Sequence, residues 1–177
     1  GSNQILKNMG RGYTIESYKN IINYIKDSIP KAAISGDAIV AFPGESETDF
    51  EQTLSLIDEI KFDHVNTAAY SPRPNTPAAT WPGQLNEDVK VKRLREINSL
   101  VENIAKERNE RYKNSSQEIL IENINPKDSS QLMGRTRTNR LTFFPRSLEN
   151  GELNNLGELI KVKITDIRPF SLTAKLL

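Results

Sequence analysis

The amino-acid sequence predicts an α/β fold followed by an all-β fold within one chain of 177 residues. Up to about residue 112 the apolar residues recur at helical spacings and in short β-branched runs, and after it they alternate with polar residues. The charge changes at the same place. Acidic side chains outnumber basic ones before residue 113, and basic side chains outnumber acidic ones after it. A boundary shared by periodicity and charge indicates two functional units.

The first predicted helix and strand occupy the start of the chain. Thr14 is a candidate N-cap for a helix that Pro30 ends. The predicted apolar face of this helix consists of Ile15, Tyr18, Ile21, Ile22, Ile25 and Ile29. A short β-branched run near residues 33–42 then predicts a buried strand.

A second helix is predicted to begin at Ser46, because Ser46 and Asp49 have the spacing of a capping box. A second buried strand follows near residues 64–70, prolines exclude regular structure from 71–83, and a long helix covers about 86–112. The predicted buried residues of the two helices are Phe50, Leu54, Ile57, Val89, Leu94, Ile97, Leu100, Val101, Ile104 and Ala105. Such alternation is typical of a parallel sheet, and two strands are too few for an independent α/β domain. We therefore expect the end of a larger barrel.

After Lys113 the sequence alternates with the period of two that is typical of half-buried strands. Candidate strands lie at 117–124, 140–144, 158–167 and 170–177. The predicted inward residues of the last two are Ile160, Val162, Ile164, Phe170, Leu172, Ala174 and Leu176. The glycines that separate the predicted segments are Gly134, Gly151 and Gly157. Several short alternating strands predict a small antiparallel β-barrel.

The composition excludes several classes of function. The sequence has no cysteine, which excludes disulfides, cysteine nucleophiles and thiolate-bound zinc or iron–sulfur clusters held by this chain. His64 is the single histidine, so no metal site is predicted. The sequence has neither a run of roughly 18 apolar residues nor a secretory signal, which predicts a cytoplasmic protein. Gly1 and Ser2 are interpreted as an expression scar.

Residues 131–148 gather basic charge without a single acidic residue among them. The basic residues are Arg135, Arg137, Arg140 and Arg146. Guanidinium groups bind phosphate through paired hydrogen bonds and stack on bases, and Phe143 or Phe144 would offer a stacking surface. Adjacent strand residues point to opposite faces, so one of these two phenylalanines is expected in the core. The alternative is a solvated hairpin whose arginines pair with acids elsewhere, and the composition leaves both interpretations open.

A second candidate site follows the first predicted strand. Pro43, Gly44 and Glu45 form a turn at the carboxyl edge of the sheet, where parallel α/β folds bind ligands. Gly44 would permit close approach of a ligand, and Glu45 would accept hydrogen bonds from a ribose or an amino group. Arg73, on the loop after the next strand, would reach the same pocket. The local sequence favours the alternative of a ligand-free turn beside a rigid proline-rich connector.

Several segments together resemble one enzyme family. They are, in order, MGRGYT, DAIVAFPGESETDFEQTL, YSPRPNTPAA, GRTRTNRLTFFP and GELIKVKITDIRPFSLTAKL. Over residues 3–177 the chain resembles the methylthiotransferases, radical S-adenosylmethionine enzymes that insert a methylthio group. The GRTRTNR form favours the branch that modifies isopentenylated adenosine next to the tRNA anticodon. It disfavours the branches that act on a ribosomal protein or on threonylcarbamoyl-adenosine.

The resemblance implies a domain plan. Residues 3–112 would be the C-terminal part of a radical-SAM domain, a partial TIM-type barrel, and residues 113–177 a TRAM domain, an OB-like β-barrel that binds RNA. The residues implied beside adenosylmethionine are Pro43, Gly44, Glu45 and Arg73. The residues implied near the tRNA anticodon stem-loop are Arg135, Arg137, Asn139, Arg140 and Phe143. Ala41 stands where the family often has glycine, which restricts the backbone there.

The resemblance also implies that this chain is a fragment. The family holds two 4Fe-4S clusters with a C-x3-C-x2-C set and further N-terminal cysteines, and this chain has none. We therefore expect a C-terminal piece without catalytic residues, bound cofactors or activity of its own. An incomplete barrel edge predicts self-association. A standalone RNA-binding protein on an α/β scaffold and a structural module that binds no nucleic acid stay open, and no membrane partner is expected.

Overall fold

The computed structural model describes residues 1–148, 151–152 and 156–177. The chain divides into two compact units, Gly1–Ile104 and Ala105–Leu177. Across the described ranges, every helix is too short or too polar to cross a bilayer.

The first unit is built around a pair of parallel strands. Its helices and the long helix that leaves it are α1 (Asn3–Asn8), α2 (Ile15–Ser28), α3 (Glu47–Ile60) and α4 (Glu87–Asn109). Strand β1 (Ser35–Val40) pairs in parallel with β2 (His64–Ala69), which confirms the predicted parallel arrangement. The buried core of this unit contains Ile22, Val40, Phe50, Ile57, Ile60, Phe62, Val65, Ile97, Val101 and Ile104.

Both predicted helix starts are confirmed by their caps. The Thr14 side chain accepts a hydrogen bond from the Ser17 N–H, and the Ser17 side chain returns one to the Thr14 backbone. The Ser46 Oγ accepts from the Asp49 N–H at 3.1 Å, and the Asp49 carboxylate accepts from the Ser46 N–H at 3.0 Å. These reciprocal bonds satisfy N–H groups that have no partner inside the helix, which is why the sequence signal is reliable.

The predicted apolar face of α2 is wrong in part. Ile22 is buried, whereas Ile21 and Ile29 are 58% and 60% exposed. Adjacent helical residues point about 100° apart, and of this adjacent pair α2 turns Ile22 to the core and Ile21 to solvent. Ile29 is the C-cap and lies beyond the last helical turn.

Two segments that the sequence placed outside regular structure take part in the fold. The Ser2 side chain caps α1 and donates a hydrogen bond to the Asp49 Oδ1 at 2.5 Å. The proline-rich loop after β2 contains a short 3₁₀-helix, Pro77–Thr80, although no regular structure was predicted there. Pro77 is tolerated because it stands at the start of that helix, where its missing N–H leaves no bond unmade.

The second unit is a closed five-stranded barrel. Its elements after a 3₁₀-turn at Glu110–Tyr112 are β3 (Ser116–Ile124), β4 (Gln131–Thr136), β5 (Leu141–Pro145), β6 (Ser147–Leu148), β7 (Gly151–Glu152), β8 (Leu159–Ile167) and β9 (Leu172–Leu176). The barrel order is β3-β4-β5-β9-β8, and β6 pairs with β7 outside it. The prediction of a purely antiparallel barrel is wrong, because β5 and β9 pair in parallel. A ring with an odd number of strands cannot alternate direction all the way round.

The barrel core confirms most of the predicted inward residues. Val162, Ile164, Leu172 and Ala174 are buried. Phe170 is 51% exposed, contrary to the prediction, because it precedes the first residue of β9. Gly134 is also different from its prediction, since it lies inside β4 and does not separate two strands.

The first unit carries exposed apolar side chains that favour self-association. Ile21, Tyr24 and Ile29 on or just after α2 and Ile39 on β1 are all exposed. We expect the chain to form dimers at low micromolar concentration in sedimentation velocity, since exposed apolar patches commonly mark association surfaces. The I21K/Y24K variant should weaken the association about ten-fold or more, and I21L/Y24F should leave it intact. A monomeric wild-type chain at these concentrations would contradict the expectation.

Candidate nucleic-acid interface

The basic stretch of the sequence forms the β4–β5 hairpin and its turn. The Thr136 N–H donates to the Arg140 carbonyl at 3.0 Å, and the Asn139 N–H donates to the Thr136 carbonyl at 2.9 Å. Asn139 has a φ of +63°, in the left-handed region that asparagine tolerates better than most residues. The tight turn projects Arg137 away from the barrel, and this side chain is 78% exposed.

A polar chain supports this turn from outside the hairpin. The Thr138 hydroxyl lies 2.9 Å from the Thr136 hydroxyl and 2.7 Å from the Tyr112 hydroxyl. Arg111 donates to the Tyr112 hydroxyl at 2.8 Å, and its guanidinium lies over the Tyr112 ring. The sequence analysis missed Arg111 and Tyr112, because only barrel closure brings them to the turn and no local pattern marks them.

Arg135 on β4 and Arg137 on the turn after it have acidic partners. Arg135 lies 3.3 Å from a carboxylate oxygen of Glu122, and Arg137 lies 2.5 Å from one of Glu118. Both acids are on β3, the antiparallel neighbour of β4. For these two arginines the structure agrees with the alternative interpretation, in which the arginines pair with acids from elsewhere in the chain. Exposed ion pairs of this kind contribute little stability, so a phosphate can compete for the guanidinium groups.

The other predicted RNA-contacting residues divide between the surface and the interior. Arg140 is only 6% exposed, and its N–H donates to the Thr136 hydroxyl at 3.0 Å. A side chain this inaccessible offers little surface to a ligand. Phe144 is buried in the core and Phe143 is half-buried on the outer side, which confirms the predicted division between them.

The turn after β1 is organised by a buried ion pair. Arg93 on α4 donates to the Glu45 carboxylate at 2.6 Å, and the Ala41 N–H donates to the same oxygen at 2.6 Å. Both side chains are almost fully buried. Burial raises the pKa of Glu45, and the hydrogen bonds from Ala41 and Arg93 act in the opposite direction. One oxygen of the Glu45 carboxylate, Oε2, is therefore used within the protein, and a ribose or amino group as partner of Glu45 stays a prediction.

Sequence analysis missed Arg93, although a signal for it exists. Arg93 precedes Ile97 by four residues and so continues the stripe of buried residues that includes Val101. A basic residue on the buried stripe of an amphipathic helix needs a buried acid as its partner.

The remaining residues of the predicted cofactor site are Pro43, Gly44 and Arg73. Pro43 is buried, and Gly44, with φ +81°, donates its N–H to the Gly83 carbonyl at 2.9 Å. Arg73 is exposed. Among the described residues, no hydrogen bond or ion pair connects its guanidinium to the turn. A cavity of about 360 Å³ borders Glu45 but not Pro43, Gly44 or Arg73. Among the described residues, no group of three or more His, Cys, Asp or Glu side chains is placed to hold a metal ion.

The closed barrel with basic and aromatic side chains on its outer face places the second unit among the small β-barrel domains that carry binding surfaces. More narrowly, residues 110–177 match the family model of the TRAM domain. The predicted TRAM barrel is thereby confirmed for this part of the chain. TRAM domains generally bind RNA, so RNA is the class of partner that this match indicates.

Proposed function

We propose that this chain is the C-terminal part of a tRNA methylthiotransferase and that its TRAM domain grips the anticodon stem-loop of the substrate tRNA. The observation that carries the proposal is the TRAM match over a closed barrel that displays Arg135 and Arg137 on its outer face. The ordered segments that resemble the methylthiotransferases support the enzymatic part.

Each accessible side chain at this surface has a proposed role in binding RNA. Arg137 on the turn and Arg135 on β4 would bind phosphates, since the guanidinium fork matches two phosphate oxygens. Glu118 and Glu122 hold the two guanidinium groups in place until a phosphate replaces them. Asn139 would hydrogen-bond to a base or sugar, and the outward ring of Phe143 would stack on an unpaired base.

The proposed enzyme adds a methylthio group to C2 of isopentenylated adenosine next to the anticodon. Adenosylmethionine and two 4Fe-4S clusters would supply the radical chemistry in the complete enzyme, and none of the catalytic residues lies in this chain. Arg93 and the Ala41 N–H both bind one oxygen of the Glu45 carboxylate. We assign the Glu45–Arg93 pair to holding the turn at Pro43 and Gly44 in shape.

The RNA-binding part is tested by the salt dependence of binding to a synthetic tRNA anticodon stem-loop. The affinity falls as salt increases, and each lost phosphate contact makes the slope of log K against log salt flatter by about 0.7 to 0.9. We therefore expect the slope for R135A/R137A to be flatter than the wild-type slope by about 1.4 to 1.8. The control R73A/R95A removes two exposed arginines from the first unit and should leave the slope unchanged. An unaltered slope in R135A/R137A would mean that these arginines do not touch RNA.

The alternative of a standalone RNA-binding protein is favoured by the same surface, so a separate measurement must distinguish it. Mass spectrometry of tRNA from cells that lack the gene should show isopentenyladenosine without its methylthio group. Normal methylthiolation in those cells would leave RNA binding as the function and remove the enzymatic part of the proposal. A missing methylthio group on threonylcarbamoyl-adenosine or on a ribosomal protein would instead assign the chain to another branch.

A further inference from the structure

Two lysines face each other across neighbouring strands of the barrel. Lys163 on β8 is directly opposite Lys175 on β9 in the antiparallel register. Their neighbours Val162, Ile164 and Ala174 are buried in the barrel core. Successive strand residues point to opposite faces, so both lysines point outward, and both are exposed.

This juxtaposition is unfavourable for the isolated protein. Like charges directly opposite each other on adjacent strands destabilise a sheet. Arg135 and Arg137 avoid such repulsion through Glu122 and Glu118. Among the described residues, neither Lys163 nor Lys175 has an acidic side chain as an ion-pair partner, so their repulsion is not offset in this way.

The lysine pair and the arginines lie on opposite sides of β3. Lys163 is opposite Ser116 of β3, and Lys161 is opposite Glu118, which pairs with Arg137 of the β4–β5 turn. Basic side chains therefore lie on β9, on β8, on β4 and in the turn after β4, and the strand between them, β3, carries Glu118 and Glu122. Three strand spacings separate β9 from β4, about 14 Å around the barrel surface.

We propose that Lys163 and Lys175 form a phosphate-binding site for the RNA backbone, distinct from the arginine turn. This inference rests on the proposed RNA-binding function of the barrel. A phosphate placed between two ammonium groups neutralises both, which removes the repulsion that the free protein bears. Lysine suits this role because it acts as a flexible point charge toward a phosphate and imposes no sequence preference.

The test compares the full 177-residue chain with its K163A/K175A variant in binding a synthetic tRNA anticodon stem-loop at several salt concentrations. We expect the slope of log K against log salt to become flatter by about 1.4 to 1.8, independently of the loop sequence. The control K106A/K127A removes two exposed lysines of the same unit and should leave the slope as it is. The K163R/K175R variant keeps both charges and should retain the wild-type slope.

The outcomes separate this inference from the function on which it rests. A wild-type chain that binds with a steep slope, together with an unchanged slope in K163A/K175A, overturns the lysine site and leaves RNA binding standing. A wild-type chain without salt-dependent binding overturns both. An equal loss of slope in K106A/K127A shows a general charge effect and also overturns the lysine site. Inorganic phosphate at the same ionic strength should compete only weakly, and complete displacement by it would indicate a small-anion site instead.

A second readout uses the protein without RNA. Replacing Lys175 alone by Gln removes the repulsion across β8 and β9, so the melting temperature of K175Q should exceed that of the wild type at low salt. The difference should shrink as salt increases, because salt screens exposed charges. A melting temperature of K175Q equal to or below the wild-type value at low salt would show that the two lysines do not repel.

Discussion

Replacing Arg93 by methionine is expected to lower the free energy of unfolding by about 3 to 5 kcal/mol, because it leaves the buried Glu45 carboxylate without its partner. Glu45 and Arg93 are joined at 2.6 Å, and both side chains are nearly inaccessible to water. The guanidinium also lies over the ring of Phe50 at 5.2 Å, so part of the loss comes from packing. Thermal and urea unfolding of R93M against the wild type measure the effect.

The R93M effect should depend on pH in a defined direction. Burial raises the pKa of Glu45 above its usual value of 4.5, and Arg93 opposes that rise. Without Arg93 the pKa of Glu45 rises further, so the folded state of R93M binds this proton more tightly than the unfolded state does. A raised carboxyl pKa contributes stability that is present below the unfolded pKa and is lost as pH rises through the folded pKa. The deficit of R93M should therefore be smallest below pH 4.5 and grow toward neutral pH.

Two variants control for other causes of the Arg93 effect. Glu47 also contacts Arg93, at 2.9 Å, but its side chain is largely exposed, so E47Q should unfold close to the wild type. The double variant E45M/R93M removes both buried charges and should recover most of the loss. A double variant as unstable as R93M would show that packing at Phe50, and not the unpaired charge, determines the effect.

Replacing Gly134 by alanine is expected to lower the free energy of unfolding of the barrel by about 3 kcal/mol or more. A Cβ at this position would lie 2.1 Å from the Leu120 carbonyl oxygen and 2.7 Å from the Ile119 Cγ2. Glycine within a strand marks such close approach of a neighbouring backbone, and a β-bulge between Ile121 and Asn123 lies at the same place. Because the obstacle is backbone, no side-chain rotation relieves it.

The matched control for G134A is G12A, since nothing lies within 4 Å of a Cβ at Gly12. G12A should change stability by less than about 0.5 kcal/mol. Loss of the barrel in G134A should also abolish binding of the anticodon stem-loop. Native-state hydrogen exchange of the β3 and β4 amides would independently measure the loss of the barrel. A G134A barrel with wild-type stability would mean that β3 and β4 separate without cost.

The comparison of sequence and structure is most informative at single residues. Thr14 and Ser46 were recognisable as helix caps because a capping box needs only residues three positions apart. Gly134 was placed between strands because glycine in a sequence marks turns and close backbone contacts alike. Arg140 was placed on the surface with its neighbours, and its position in the closing turn buries it. The two caps depend on nearby residues alone, whereas the surroundings of Gly134 and Arg140 depend on closure of the barrel, which local composition does not predict.

The sequence by itself determined the alternation of α2, β1, α3, β2 and α4, the caps of α2 and α3, and the small β-barrel that follows, since periodicity and capping act over a few residues. Only the tertiary structure decided which charges meet. The register of β3 beside β4 gives Arg137 its partner Glu118, and the register of β8 beside β9 sets Lys163 against Lys175. Coulomb energies depend on distance in space, and distant parts of the chain set those distances together when the barrel closes.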